Sequence, residues 1–359
     1  MGEEVARFEA DFAVYFNVKY AVMVNSGSSA NLLAVAAMCF KEKNPLKSGD
    51  EVIVPSLSWA TTYFPLSQYG MKLVFVDIDK ETLNIDALQI ERAITAKTKA
   101  IMVPSILGNP AELVKIKEIC KRNNLYLIED NCESMGATLD DKYVGTYGDC
   151  GAFSCFYSHH ISTMEGGIIV TDDDELYQIL LSLRAHGWTR QLPKDNLLVT
   201  KDDDEFYEQW RFILPGYNLR PLEMSGAVGV EQLKKLPELL RVRRANAKHF
   251  ASLFEQSESV FRQAELGESS WFGFSLVLKD SASMTRKSIL KKFKEEGVDS
   301  RPIISGNFLR QPVMKHLDHR IVGEHVNAEY VHDNGLFVGN HGADIRKELD
   351  GIKTIIESS

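Results

Sequence analysis

Short apolar runs alternate with amphipathic stretches through the first half of the chain, and this alternation limits the fold more than any other feature. The runs are residues 21–24, 51–54, 73–76, 100–103 and 125–128; helical patterns at 61–69, 86–94 and 112–123 separate the later ones. Runs this short and this apolar have no face for water, so they read as strands covered on both sides. Strands separated by helices build the largely parallel sheet of the α/β class, which holds ligands beyond the C-terminal ends of its strands. The polar residues that follow the runs therefore matter most: Ser58-Trp59-Ala60-Thr61, Asp77 with Asp79, Leu107-Gly108-Asn109, and Glu129 to Ser134.

The flanking segments complete the outline. Val5, Phe8, Phe12, Tyr15 and Phe16 recur at helical spacing, predicting a helix within 1–19. Residues 171–188 read as a helix with an acidic start, 191–209 as an exposed polar loop, and 222–256 as a long helix interrupted near Pro237. The pattern then changes to a smaller α+β unit, with a strand at 271–278 and a Ser-capped helix at 283–296 stopped by Gly297. Two domains are expected, 1–235 and 236–359.

A net charge of −9 disfavours nucleic acid as a general partner, because phosphate binding needs a basic surface. No apolar run is long enough to span a membrane, and the start is not a signal peptide. The five cysteines include no CxxC pair, so reduced thiols in a cytoplasmic protein are expected.

The densest chemistry lies between Phe153 and Gly167, where His159 and His160 sit among hydroxyls and Glu165, just before the strand-like run 168–170. His159 reads as the acid/base of an active site. His160 reads as a packing residue. A metal held by both histidines and Glu165 is awkward, because adjacent side chains diverge on a strand or a helix.

Other pieces suit an aromatic phosphate cofactor. The turn after residue 24, with Gly27 and Ser28 opening a helix, can bind an anion through free N–H groups and the helix dipole. Trp59 can stack on a planar ring or pack in the core. Asp130 can hold a ring nitrogen protonated or cap a helix, and Ser154 is a further hydroxyl. His186 reads as a substrate contact or a helix-end residue. Arg220 and Arg301 read as carboxylate or diphosphate binders or as surface ion pairs.

With Ser26-Gly27-Ser28-Ser29-Ala30, Pro55 to Trp59, Glu129 to Glu133, Glu165-Gly166-Gly167 and Gly216 to Arg220, the whole chain resembles the sugar-nucleotide aminotransferases of the DegT type. These are fold-type-I pyridoxal 5′-phosphate (PLP) enzymes. The resemblance implies a large, mostly parallel seven-stranded sheet domain, a smaller C-terminal α+β domain, and a homodimer with shared active sites. It implies that Gly27, Ser28 and Ser154, with Asn218 from a second subunit, bind the cofactor phosphate. Trp59 stacks on the ring, Asp130 meets its nitrogen, and Glu133 belongs to the same cofactor site.

One position departs from the family. Where the aminotransferases carry the lysine that forms a Schiff base with PLP, this chain has His159, and it has no lysine between Lys142 and Lys194. That pattern resembles a dehydratase subgroup acting on nucleotide-activated 4-keto-6-deoxyhexoses, with GDP-4-keto-6-deoxy-D-mannose the implied substrate on the way to the 3,6-dideoxysugar colitose of lipopolysaccharide O-antigen. L-Glutamate would convert PLP to pyridoxamine phosphate (PMP), PMP would condense with the 4-keto group, and His159 would move the protons that expel the C3 hydroxyl. Hydrolysis would release the 3-deoxy sugar and ammonia. A related CDP-hexulose dehydratase also has histidine here but uses an iron–sulfur cluster on closely spaced cysteines. No cysteine follows Cys155, so no cluster is expected. A non-catalytic sugar-nucleotide-binding protein and a sugar aminotransferase are the alternatives. Relatives usually carry a further N-terminal segment bordering the active site, before the pattern matched by Gly2 to Glu9.

Overall fold

A computed structural model of the protein describes residues 1–357. The strands are β1 (Tyr20–Val24), β2 (Glu51–Pro55), β3 (Lys72–Val76), β4 (Thr98–Pro104), β5 (Tyr126–Asp130), β6 (Thr138–Leu139), β7 (Lys142–Tyr143), β8 (Cys150–Ser154) and β9 (Gly167–Thr171). They continue with β10 (Val260–Phe261), β11 (Gly273–Leu278), β12 (His319–Ile321) and β13 (Gly335–Gly339). The main sheet runs β1-β9-β8-β5-β4-β2-β3-β12, with β9 antiparallel to both neighbours and the other pairs parallel.

Seven of these strands come from the first half of the chain, as expected. The eighth, β12, comes from the C-terminal part and pairs with β3 through His319, Arg320 and Ile321. Its three residues alternate too little to stand out in sequence. Arg320 fastens it by a bidentate pair to Glu51, at 2.9 and 3.0 Å.

Register brings the strand ends to one edge. Pro104 lies opposite Asp130, and Ser154 and Val24 both lie opposite Gly167. The N-terminal end of antiparallel β9 therefore meets the C-terminal ends of its neighbours. Helix Gly27–Cys39 packs under this sheet with Ala34, Val35, Ala36 and Ala37 fully buried. It is apolar nearly all round because helices Ala60–Gln68 and Asp174–Arg184, which also contact the sheet, pack against it.

Helices Ala87–Ala93 and Leu113–Asn123 cover the opposite face over β2 to β5, and two crossed helices cover it over β1, β8 and β9. Helix Glu3–Phe16 buries Phe8, Phe12 and Phe16, one turn apart, and the rings of Phe12 and Phe16 lie 5.5 and 5.0 Å from that of Phe153. Each buried phenylalanine contributes roughly 1.5–3 kcal/mol. Helix Glu223–Leu253 crosses it closely at Gly226, where a Cβ would stand 2.7 Å from the Val5 nitrogen. Glu223 accepts hydrogen bonds from the Gly2 and Glu4 N–H groups at 2.6 and 3.1 Å, supplying the cap that Gly2 lacks.

The long helix is not interrupted at Pro237. Leu233, Leu236 and Leu240 are buried on either side of it, and this packing outweighs the lost hydrogen bond. Beyond Leu240 the helix enters a second core with Phe250, Phe274 and Phe293, built on β10-β11-β13. Two boundaries differ from the sequence reading. The helix read at 283–296 is Arg286–Glu295, capped by Thr285, which accepts from Ser288 N–H at 3.2 Å. The polar stretch 191–209 contains a one-turn helix, Glu205–Glu208, capped by Asp204.

Candidate active site

A cavity of about 510 Å³ opens at the edge where the strand ends converge. Gly27, Ser28, Trp59, Asp130, Glu133, Ser154, His159 and Arg301 all line it, and no lysine does. Eight of the residues singled out in sequence thus meet in one place.

The anion end is built by β1, β8 and the following helix. Ser26 caps that helix, accepting from Ser29 N–H at 3.0 Å, and its first turn points into the cavity. Gly27 has no room for a side chain, because a Cβ would stand 2.5 Å from the Ser154 Cβ and 3.0 Å from the Cys132 Sγ. The absent Cβ lets the two serines and the helix N-terminus close on one spot, the cradle a phosphate requires.

Asp130 ends β5 at the cavity floor. Its Oδ2 accepts from Asn31 Nδ2 at 2.8 Å and Thr62 Oγ1 at 2.7 Å, and Thr62 in turn contacts Ser58 Oγ at 2.7 Å. Oδ1 receives the Cys132 N–H, at a long 3.3 Å. One oxygen is clamped while the other can take a donor from the cavity. The aspartate is no helix cap, and these contacts fit it to hold a protonated ring nitrogen. Above it, Trp59 is 58% exposed, so it is a cavity wall and not core.

Glu133, also in the wall, accepts from Leu107 N–H at 3.1 Å. Burial pushes its carboxyl up to about 8, and the Asp130 charge adds to this against the Leu107 hydrogen bond. Burial likewise holds the Cys132 thiol well above its ordinary range, so it is not a nucleophile.

His159 is fixed through its ring. Nδ1 lies 2.5 Å from the Cys132 carbonyl oxygen, which can only accept, so Nδ1 carries the proton and Nε2 keeps its lone pair. Phe272 and Phe156 meet the ring edge-on, at 5.0 and 6.0 Å between centroids. Burial lowers the histidine pKa below its ordinary value; the Cys132 hydrogen bond opposes this, Arg243 adds to it, and Asp130 opposes it. A neutral imidazole with a free Nε2 can accept a proton and return it. His160 points elsewhere and packs as expected: buried, with Nε2 3.2 Å from the Ser270 carbonyl.

Arg301 lines the cavity while its guanidinium also stands 3.8 Å from Asp299 in an exposed pair. Asn218, His186 and Arg220 lie outside this chain's cavity. They cluster on one surface segment, where Arg220 Nε donates to Asn218 Oδ1 at 2.9 Å and the rings of His186 and Trp188 lie 4.9 Å apart.

The sequence reading missed Asn31, Thr62, Phe272 and the Cys132 carbonyl. Asn31 was detectable as a lone amide in a helix otherwise apolar all round. The others had no signal, since a backbone carbonyl and a phenylalanine look the same wherever they fold.

Known proteins match this architecture. The model of the DegT/DnrJ/EryC1/StrS aminotransferase family matches residues 1–352. The chain is 54% identical to the GDP-4-keto-6-deoxy-D-mannose 3-dehydratase of Yersinia pseudotuberculosis, over 99% of this chain and 91% of that protein. The solved Escherichia coli GDP-4-keto-6-deoxy-D-mannose-3-dehydratase with bound hydrated PLP is 52% identical, with a TM-score of 0.97 over 99% of this chain and 92% of that one. Another structure of a GDP-4-keto-6-deoxymannose-3-dehydratase holds a trapped PLP-glutamate geminal diamine, and matches with 52% identity and the same TM-score over 99% and 93% of the chains. The cradle, the clamped aspartate and the matched length lead to one conclusion: the chain belongs to the DegT/DnrJ/EryC1/StrS aminotransferase family.

Proposed function

We propose that the protein is a PLP/PMP- and L-glutamate-dependent 3-dehydratase acting on GDP-4-keto-6-deoxy-D-mannose, in the synthesis of a 3,6-dideoxysugar. The observation that carries this reading is His159: a neutral, oriented base in a cavity that also holds Gly27, Ser154 and Asp130 and has no lysine on its wall. The curated relative with 54% identity bears the name of that activity.

Gly27, Ser28 and Ser154 would hold the cofactor phosphate, Trp59 its ring face and Asp130 its ring nitrogen, with Glu133 in the same wall. When bound, the amine-bearing cofactor supplies an electron sink that lets the C3 hydroxyl depart from the sugar. Asp130, clamped by Asn31 and Thr62, would keep the ring nitrogen of a bound cofactor protonated. His159 takes up a proton at Nε2 and can return it to the leaving hydroxyl, one group serving as base and then acid. With no amine side chain on the cavity wall, no covalent tether competes with the sugar ketone.

The test is a mass spectrum of the sugar nucleotide after incubation with PLP, glutamate and GDP-4-keto-6-deoxymannose. A product that has lost the C3 oxygen, with 2-oxoglutarate and ammonia formed, supports the dehydratase. An amine in place of the ketone indicates an aminotransferase, and an unchanged sugar with measurable affinity indicates a binding protein.

Three further features belong to the proposal. Two copies share their sites, each lending Asn218 to the other. The surface position of Asn218 and the exposed Phe206, Trp210 and Phe212 nearby support this, and light scattering tests it. The domains divide near residue 236, inside the long helix, whose buried side chains pass from one core to the other between Leu240 and Ala247. The setting is the cytoplasm, in keeping with five free cysteines. No helix among the described residues is long and apolar enough to cross a membrane.

A further inference from the structure

Two adjacent arginines on the long helix have opposite circumstances. Arg244 is half-buried and pairs with Glu268 at 3.0 Å, besides donating to the carbonyls of Ser269 and Gly136. Arg243 is buried, forms no ion pair among the described residues, and has an Nε with no acceptor. Its Nη1 donates only to main-chain carbonyls: Asn340 at 3.1 Å, Trp271 at 3.3 Å and Phe272 at 3.5 Å. A buried charge without a counter-ion is costly, and such groups persist where the charge is used.

Holding the backbone does not require it. Asn340 Nδ2 already donates to the Trp271 carbonyl at 2.9 Å and to the Arg243 carbonyl at 3.1 Å, so neutral amides fasten this segment. What the charge adds is its place. The segment it grips carries Phe272, whose ring lies 5.0 Å from that of His159 and 5.9 Å from that of His160, and His160 is tied to Ser270 in the same segment. The guanidinium is thus hydrogen-bonded to the main chain of the residue whose ring backs His159, in a low-dielectric layer where Coulomb effects are strong.

We infer that Arg243 is a positioning residue for the reaction: its uncompensated charge, held on the main chain of Trp271 and Phe272, disfavours the imidazolium of His159 and keeps the base neutral when substrate arrives. The inference rests on the role proposed for His159. Burial lowers the Arg243 pKa only to about 10, so it is charged at neutral pH. The other ionisable groups around His159 are Asp130, Cys132, Glu133, Glu165 and Arg301 on the cavity wall, His160 beside it, and Arg244, which acts on His160. Asp130 draws the histidine the other way. Arg243 offsets that pull.

The test is an NMR titration of His159 in the cofactor-free protein, compared for the wild type, Arg243→Gln and Arg243→Lys. The wild type is expected to titrate below the ordinary histidine value of about 6.5. Arg243→Gln is expected to move the midpoint up by roughly 0.5–1 pH unit, 3- to 10-fold in the imidazolium ratio, with Arg243→Lys close to wild type. The acid limb of the dehydration rate should move with it. A wild-type midpoint at or above 6.5 would overturn the inference even if the glutamine variant failed to fold. Equal midpoints in all three proteins, or equal shifts in both variants, would also overturn it. The titration needs no sugar nucleotide, so a protein that titrates as expected yet dehydrates nothing would count against the proposed function alone.

Discussion

The carbonyl oxygen of Cys132 lies 2.5 Å from Nδ1 of His159, and this contact decides which nitrogen of the histidine does chemistry. A carbonyl cannot donate, so the proton is on Nδ1 and the lone pair on Nε2. Cys132 sits directly after Asp130 and Asn131 at the end of β5, so the element that presents the aspartate also orients the base.

Replacing His159 by asparagine keeps a donor near Cys132 but removes the base. Loss of C3–O cleavage by roughly 10²–10⁴-fold is expected, the usual contribution of a general acid–base. PLP should still bind, since none of the phosphate cradle changes. Product mass and cofactor absorbance, read on one sample, check both halves.

The clamp on Asp130 gives a second expectation. Asn31→Ala and Thr62→Val each remove one of two hydrogen bonds to Oδ2. Each should cost about 1–3 kcal/mol of stability, as a buried acceptor loses a partner. The pair should be non-additive, because both act on one oxygen. Thermal melts of the single and double variants test this, with weaker PLP affinity in both single variants.

Arg184 is 1% exposed and reaches Glu9, the Met23 carbonyl at 2.7 Å and Gln191 Oε1 at 3.0 Å. It ties the first helix to β1. Arg184→Met leaves the Glu9 carboxylate partly buried without its cation, and destabilisation by roughly 3–5 kcal/mol is expected. Glu9→Gln with Arg184→Met should recover part of the loss; denaturant titration of the wild type and these two variants measures it.

Glu129 supplies a pH dependence. It is fully buried beneath Asp130 and accepts from Gly145 and Gly148 N–H groups at 2.6 and 2.5 Å. Burial raises its pKa to about 7 against these hydrogen bonds. A folded-state pKa above the unfolded value of about 4.3 means that the contribution is full below pH 4.3 and is lost as pH rises to about 7. Relative to Glu129→Gln, the wild type should therefore lose on the order of 1–3 kcal/mol between those limits. Chemical denaturation at four or five pH values follows the difference.

The sequence by itself determined the class of sheet and most of the site. The apolar runs at 51–54, 73–76 and 100–103 permit only buried strands, and buried strands joined by helices put their C-terminal ends on one edge. Gly27, Trp59, Asp130 and Ser154 follow such strands, so their meeting was legible from chain order together with resemblance. What stayed illegible depends on distant chain segments arriving at one point. The edge strand of the sheet, β12, comes from residues 319–321, and Glu51 holds it through Arg320. The tautomer of His159 depends on a main-chain carbonyl, which carries no residue code. Pro237 reads as a break, yet buried leucines on both sides carry the helix through it. Asn218, His186 and Arg220 show the same limit from the other direction. They lie on a surface outside this chain's own cavity, so any part in a site would depend on a second copy of the chain. Local pattern specifies elements because it reports which faces avoid water; the site's protonation and geometry come from contacts that exist only once those faces have packed.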